Sequence, residues 1–168
     1  MAGISPGIAG LRQPAHRVSR RAIAWWTVRA LVGWLVLLLP AVGAVLVLPE
    51  RPAGALAALG VLVLLAAAHT AVMPRWRYHV HRWEATDDAV YTQAGWLNQE
   101  WRVAPMSRIQ TVDTERGPLQ QAFGLATVTV TTASAAGPLR IEGLDVRLAG
   151  QLVEQLTATT QAMPGDAT

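Results

Sequence analysis

Cysteine is absent from this 168-residue chain. Its absence removes disulfides, thiolate zinc sites and cysteine nucleophiles together, and leaves the redox compartment unread. Lysine is missing too: all 14 basic residues are arginine, a usage that fits genomic base composition better than chemistry. Phenylalanine occurs once, at position 123. Charged residues make up 15% of the chain, against roughly 25% in ordinary soluble proteins. Acids are scarcest at the start. Residues 1–83 hold nine arginines and one acid, Glu50, for a net +8, whereas residues 84–168 hold five arginines and ten acids, for a net −5. The high pI therefore belongs to the first half. An acidic second half argues against nucleic acid as a partner. No glycine-rich phosphate loop is present either.

What the chain has instead is apolar length. Ala30 to Leu48 and Ala53 to Met73 are two runs without formal charge, separated by Pro49-Glu50-Arg51-Pro52. Each is close to the roughly 20 residues a helix needs to cross a hydrocarbon layer of about 30 Å. They are apolar on every face, and the remaining chain is too short to wrap such a pair in a soluble core. The expectation is a transmembrane helical hairpin over residues 22–74, with spans at about 30–48 and 53–73. Pro40 should kink the first span. Gly33, Gly43, Gly54 and Gly60, with many alanines in the second span, would let helices approach closely. The light face of Gly54, Ala57, Ala58 and Val61 is expected to serve packing within the hairpin, the alternative being contact with a partner helix. His69, in the last turn of the second span, reads as a solvated interfacial residue rather than a proton path.

Arginines set the orientation. Arg17, Arg20, Arg21 and Arg29 precede or open the first span, and Arg75, Arg77 and Arg82 follow the second, while the intervening turn carries only Arg51 beside Glu50. The positive-inside rule places both termini in the cytoplasm of a multi-pass inner or plasma membrane protein. Trp25 and Trp26 before the first span, and Trp76, Tyr78 and Trp83 after the second, read as an aromatic belt. Residues 1–21, rich in Gly, Pro, Ser and Arg, read as a flexible cytoplasmic tail, and 163–168 as a second tail.

From residue 75 to 162 the pattern is that of a separate domain. Short β runs at 77–85, 89–94, 97–104, 109–115, 126–132 and 139–142 are punctuated by Asp87-Asp88, Gly95, Pro105, Gly117-Pro118 and Ala135-Ala136-Gly137-Pro138. Leu148, Ala149, Leu152, Val153 and Leu156 then form a stripe at helical spacing, with Asp145 as N-cap. Strands followed by one amphipathic helix indicate an α+β unit: an antiparallel sheet or partial barrel closed by the helix. Leu119, Ala122, Phe123 and Leu125 would form an apolar turn closing the sheet, with Phe123 buried against Leu152 or Leu156. Gly124 reads as a positive-φ position.

Chemical motifs are thin. His79 and His81 would point to one face of a strand, as two metal ligands must. Only Glu84 and His16 lie near, at no ligand spacing, so the pair reads as surface. Ser107, Thr111 and Asp113 supply a hydroxyl and a carboxylate, but no histidine follows them as base. No catalytic, cofactor or metal site is assigned. Arg108, between Met106 and Ile109, is expected to bond a backbone carbonyl or Asp113 rather than a ligand.

Several segments together resemble a known family. Gly95, Pro105, Ser107-Arg108-Ile109-Gln110, Val112, Gly117-Pro118-Leu119, Phe123-Gly124-Leu125-Ala126 and Ile141-Glu142-Gly143-Leu144 follow two apolar spans. This set resembles the bacterial pleckstrin-homology (PH) domain of YdbS-like membrane proteins. The resemblance implies a PH-like fold, a membrane location and no established enzymatic activity, often in company with a larger protein carrying several such domains. Inositide binding does not carry over, because the first turn, Asp87-Asp88, is acidic. The expectation is a non-enzymatic membrane-anchored interaction module, whose partners are the lipid bilayer and another PH-domain membrane protein or a second copy. The alternative is a lipid-binding module, with Arg75, Arg77 and Arg82 contacting anionic lipid.

Overall fold

The computed structural model describes residues 13–50, 52–134 and 137–162. The start of the expected tail, Arg51, the Ala135-Ala136 step and residues 163–168 lie outside the described residues.

Two helices, α1 (Arg21–Val47) and α2 (Ala53–Val80), form an antiparallel pair, both long and apolar enough to cross a membrane. They meet along a narrow seam. Ala30, Trp34, Leu38, Ala41 and Val45 of α1 are buried or half-buried, as are Ala55, Leu59, Leu62 and Ala66 of α2, while their neighbours are exposed. The 3- and 4-residue spacing of both sets is that of helices packed nearly antiparallel. Helix α2 runs through Pro74, six residues beyond it. The expected strand at 77–85 is therefore shorter: residues 77–80 are the last turn of α2, and His79 lies on the helix while His81 caps it. The two histidines share no strand face.

Beyond α2 come two antiparallel sheets. The first has the order β1-β2-β3-β4, from β1 (His16–Arg17), β2 (Arg82–Ala85), β3 (Ala89–Gly95) and β4 (Gln99–Pro105). The second has the order β5-β6-β7, from β5 (Ile109–Glu115), β6 (Leu125–Thr132) and β7 (Leu139–Asp145). A single 3-10 turn, Met106–Arg108, links the sheets, and they do not close into a barrel. Helix α3 (Pro118–Ala122) joins β5 to β6, and α4 (Val146–Ala162) packs over the second sheet through Ala149, Leu152 and Leu156. Asp145 Oδ1 accepts the Arg147 N–H at 3.0 Å, which makes it the N-cap of α4.

Residues 13–20 are no tail. His16 and Arg17 pair with Trp83 and Arg82 as an edge strand, Pro14 and Val18 are buried, and Ser19 N–H donates to Gly143 O at 2.9 Å. The core also draws on α1. Ala22, Trp25 and Trp26 are buried beside Val90, Met106, Leu125, Val128, Leu144 and Leu156. Trp25, Trp26 and Trp83 are thus core residues and not a membrane belt, whereas Trp76 is 51% exposed. The ends of the helical pair and the β-unit share one hydrophobic interior.

Candidate functional site

At the junction of α1, α2 and β7, four side chains converge. The Arg77 guanidinium lies 4.8 Å over the Trp26 ring and donates through Nη2 to Glu142 Oε2 at 2.8 Å. His81 packs edge-on to Trp26 at 5.0 Å. Its Nδ1 lies 2.9 Å from Arg77 O, and its Nε2 accepts from Arg77 Nε at 3.4 Å. Those two contacts suit a neutral imidazole with its proton on Nδ1, donating to the carbonyl and accepting from the guanidinium. Burial, and next the Arg77 charge, push the His81 pKa down to about 4.

A bulge in β7 builds this junction. Between the pairs Ala126↔Leu144 and Val128↔Ile141 the register shifts, and Gly143 takes φ +79°. Glycine at a left-handed position is what such a bulge requires. A Cβ at residue 143 would also stand 2.8 Å from Ala22 Cβ, so the glycine lets α1 approach the sheet.

Arg77, His81 and Glu142 form the floor of a cleft of about 340 Å³, whose walls include Glu100, Arg102 and Arg140. Each of its arginines has a carboxylate partner: Arg102 Nε lies 3.4 Å from Glu100, and Arg140 Nη2 lies 2.6 Å from Glu115. Thr92 also lines the cleft, whereas Thr111 Oγ1 donates to Asp113 at 3.1 Å on exposed β5, outside it.

The remaining candidates are dispersed. Arg75 is exposed, donates to Ala71 O at 2.6 Å, and borders an apolar groove of about 420 Å³ between the helices, with Thr27, Trp34 and Thr70. Arg82 is half-buried on β2 and does not line that groove. Arg77, grouped with them as a lipid contact, is turned inward to Glu142. Arg108 is exposed, and among the described residues its guanidinium has no hydrogen bond or ion pair; its carbonyl accepts from Ala133 N–H at 3.2 Å. The expected bond to a carbonyl or to Asp113 does not form. Ile109 packs on the core and Gln110 is exposed.

Gly117 caps α3 with Pro118 at its first turn, and Gln120 Oε1 accepts the Gly117 N–H at 3.0 Å. The Gln120 amide in turn donates to Thr127 Oγ1 at 2.8 Å in the interior. Leu119 is 38% exposed, so it does not close the sheet as expected. Phe123 is half-buried against the core instead of fully enclosed. Gly124 has φ +65°, as its place after α3 requires.

His69 is no solvated residue. Its Nδ1 accepts from Trp34 Nε1 at 3.0 Å, and its ring meets Trp96 edge-on at 5.3 Å. Sequence reading missed this cluster and the partnership of Glu142. The available signals were the Ile-Glu-Gly-Leu segment and a Trp-Leu pair in a β turn.

Comparison with known proteins accords with this architecture. The family model described as Bacterial PH domain matches residues 22–160. The UPF0699 transmembrane protein YdbS of Bacillus subtilis (strain 168) is 28% identical over 158 residues, covering 92% of this chain and 98% of that protein. No solved structure matches.

Proposed function

Since the chain belongs to the bacterial PH-domain family, we propose that it is a non-enzymatic, membrane-anchored interaction module. It crosses the cell membrane twice with both termini in the cytoplasm, and assembles with another PH-domain membrane protein or with a second copy. The observation that carries this reading is the light face of α2. Gly54, Ala57, Ala58 and Val61 are exposed and off the α1 seam, and a Cβ at Gly54 would meet nothing within 4 Å. This corrects the expectation that the face serves packing within the hairpin. In a bilayer, where apolar surface alone drives no association, small residues are what allow a neighbouring helix to come close. A partner held there would be coupled to the β-unit, because α1 and α2 enter its core.

Replacing both Gly54 and Ala58 by Leu tests the reading. Crosslinking in native membranes should lose the adduct with a second copy or a PH-domain partner, while insertion and thermal stability stay unchanged. Adducts that persist in the double variant would refute assembly through this face.

A second reading, lipid binding, is favoured by one observation, the arginine-lined cleft. It expects anionic lipid to co-purify in mild detergent and to be lost on Arg102→Ala and Arg140→Ala.

A further inference from the structure

The turn between β3 and β4 runs through Trp96, Leu97 and Asn98, bounded by the pair Gly95↔Gln99. It is tight: Gly95 takes φ +124°, and a Cβ there would lie 1.9 Å from Asn98 O. Only glycine permits this path, which leaves Trp96 half-buried and Leu97 exposed at the turn. Leu97 is 81% exposed, among the most exposed large apolar residues described. In water such exposure at a turn tip gains nothing.

The turn's position gives the leucine a surrounding. Trp96 touches His69, and His69 lies within α2, eleven residues before its last residue, Val80. At 1.5 Å per residue this is roughly 16 Å back along the helix from its end. Counting roughly 20 residues for the hydrocarbon layer from Ala53 brings its cytoplasmic boundary to about residue 72. His69 is then just inside that boundary. Trp34, bonded to His69, and Trp76, 51% exposed on α2, lie on either side of the same level. The β3–β4 turn has folded back along α2 to the depth where tryptophan prefers to sit.

We infer that the Trp96-Leu97 turn enters the cytoplasmic leaflet as a third membrane contact beside the two spans, with the lipid bilayer as the partner of this surface. The inference rests on the reading that α1 and α2 span the membrane. Its consequence is orientation. Two spans alone leave the β-unit free to tilt about the helix ends, whereas a third, off-axis contact fixes which face of the arginine-lined cleft is turned to the headgroups.

The absence of native cysteine makes the test direct. Single cysteines at Leu97, Asp87 and Val63 are labelled with a nitroxide in the full chain, reconstituted in phosphatidylcholine–phosphatidylglycerol vesicles. Asp87 is in the turn at the opposite end of β3, and Val63 is an exposed span residue. Leu97 should show oxygen accessibility at least several-fold above that of Asp87, relative to a water-soluble nickel chelate, and close to that of Val63. Water-like behaviour at Leu97 with lipid-like behaviour at Val63 would overturn the inference and leave the spans standing. A label at Leu97 shielded from both reagents would overturn it in favour of a protein contact. Water-like behaviour at Val63 would overturn the spanning reading itself.

Discussion

Arg77 of α2 and Glu142 of β7 are joined at 2.8 Å across the point where helices become sheet, with side chains 25% and 28% exposed. The pair is partly desolvated, and the Arg77 guanidinium also rests on Trp26 of α1. One arginine therefore holds three elements. Helix α2 does not end with its apolar run but continues into the domain as a structural member. Its last turn supplies the cation, and the β7 bulge supplies the anion.

This arrangement predicts an asymmetry between the two partners. Arg77→Ala removes the ion pair, the ring contact and the His81 Nε2 donor together. Glu142→Gln keeps shape and a hydrogen-bond acceptor and removes only charge. Partial exposure moderates both effects. We expect a loss of about 2 kcal/mol for Arg77→Ala and about 1 kcal/mol or less for Glu142→Gln. Denaturant unfolding of the full chain in detergent micelles measures both. The reverse ranking would show that leaving the Arg77 charge without its counter-ion costs more than losing the whole side chain.

Gly143→Ala tests the bulge. The left-handed backbone alone costs a non-glycine residue about 1–2 kcal/mol. The added methyl also meets Ala22 Cβ at 2.8 Å, and overpacking of this kind costs about 1–3 kcal/mol. The expected total is about 2–5 kcal/mol. Ala22→Gly in the same chain relieves the second contribution only. A double-mutant cycle should therefore give a favourable coupling of about 1 kcal/mol or more. Simple additivity would mean that α1 shifts away from the bulge at little cost.

Local patterns made most of the elements readable. The alternation of Ala126, Val128 and Val130 with threonines gives β6, the Leu148–Leu156 stripe gives α4, and uncharged length gives the helical pair. Failures fell where local and tertiary forces disagree. Pro74 and the alternating Tyr-His-Val-His segment argue locally for a helix stop and a strand, yet α2 continues because Val80, Tyr78 and Arg77 find partners in the domain. Trp25 and Trp26 look interfacial by residue type, but one interior shared by helices and sheets claims them. His16 and Arg17 carry no strand signal of their own; the free edge of β2 induces one. At the site, Glu142 and Gly143 were visible as letters, but their role depends on a register shift that sequence does not display.

His81 yields the last prediction. Its pKa lies near 4 in the folded chain, below the ordinary 6.5, because the ring is buried and faces Arg77. A group whose folded pKa is depressed contributes stability that is complete above its unfolded pKa and is lost as pH falls toward the folded one. The window is therefore about pH 6.5 down to 4. In this range the unfolded chain takes up a proton at residue 81 that the folded chain refuses. Protonation of the folded form would turn Nε2 from an acceptor into a donor facing the Arg77 guanidinium, so the penalty has a direct structural origin. Between pH 7.5 and 5 the wild-type chain should lose about 2 kcal/mol through this group alone. His81→Gln retains a donor and an acceptor but cannot ionise. The variant should be less stable than wild type at pH 7.5, because the Trp26 contact is weakened, yet its loss on acidification should be smaller by about 2 kcal/mol. Glu142, Arg77 and the other titrating groups are common to both chains and cancel in the comparison. Unfolding midpoints of both proteins at the two pH values supply the measurement. Equal losses in the two chains would mean that His81 titrates near its ordinary value and that water or a carboxylate reaches the ring.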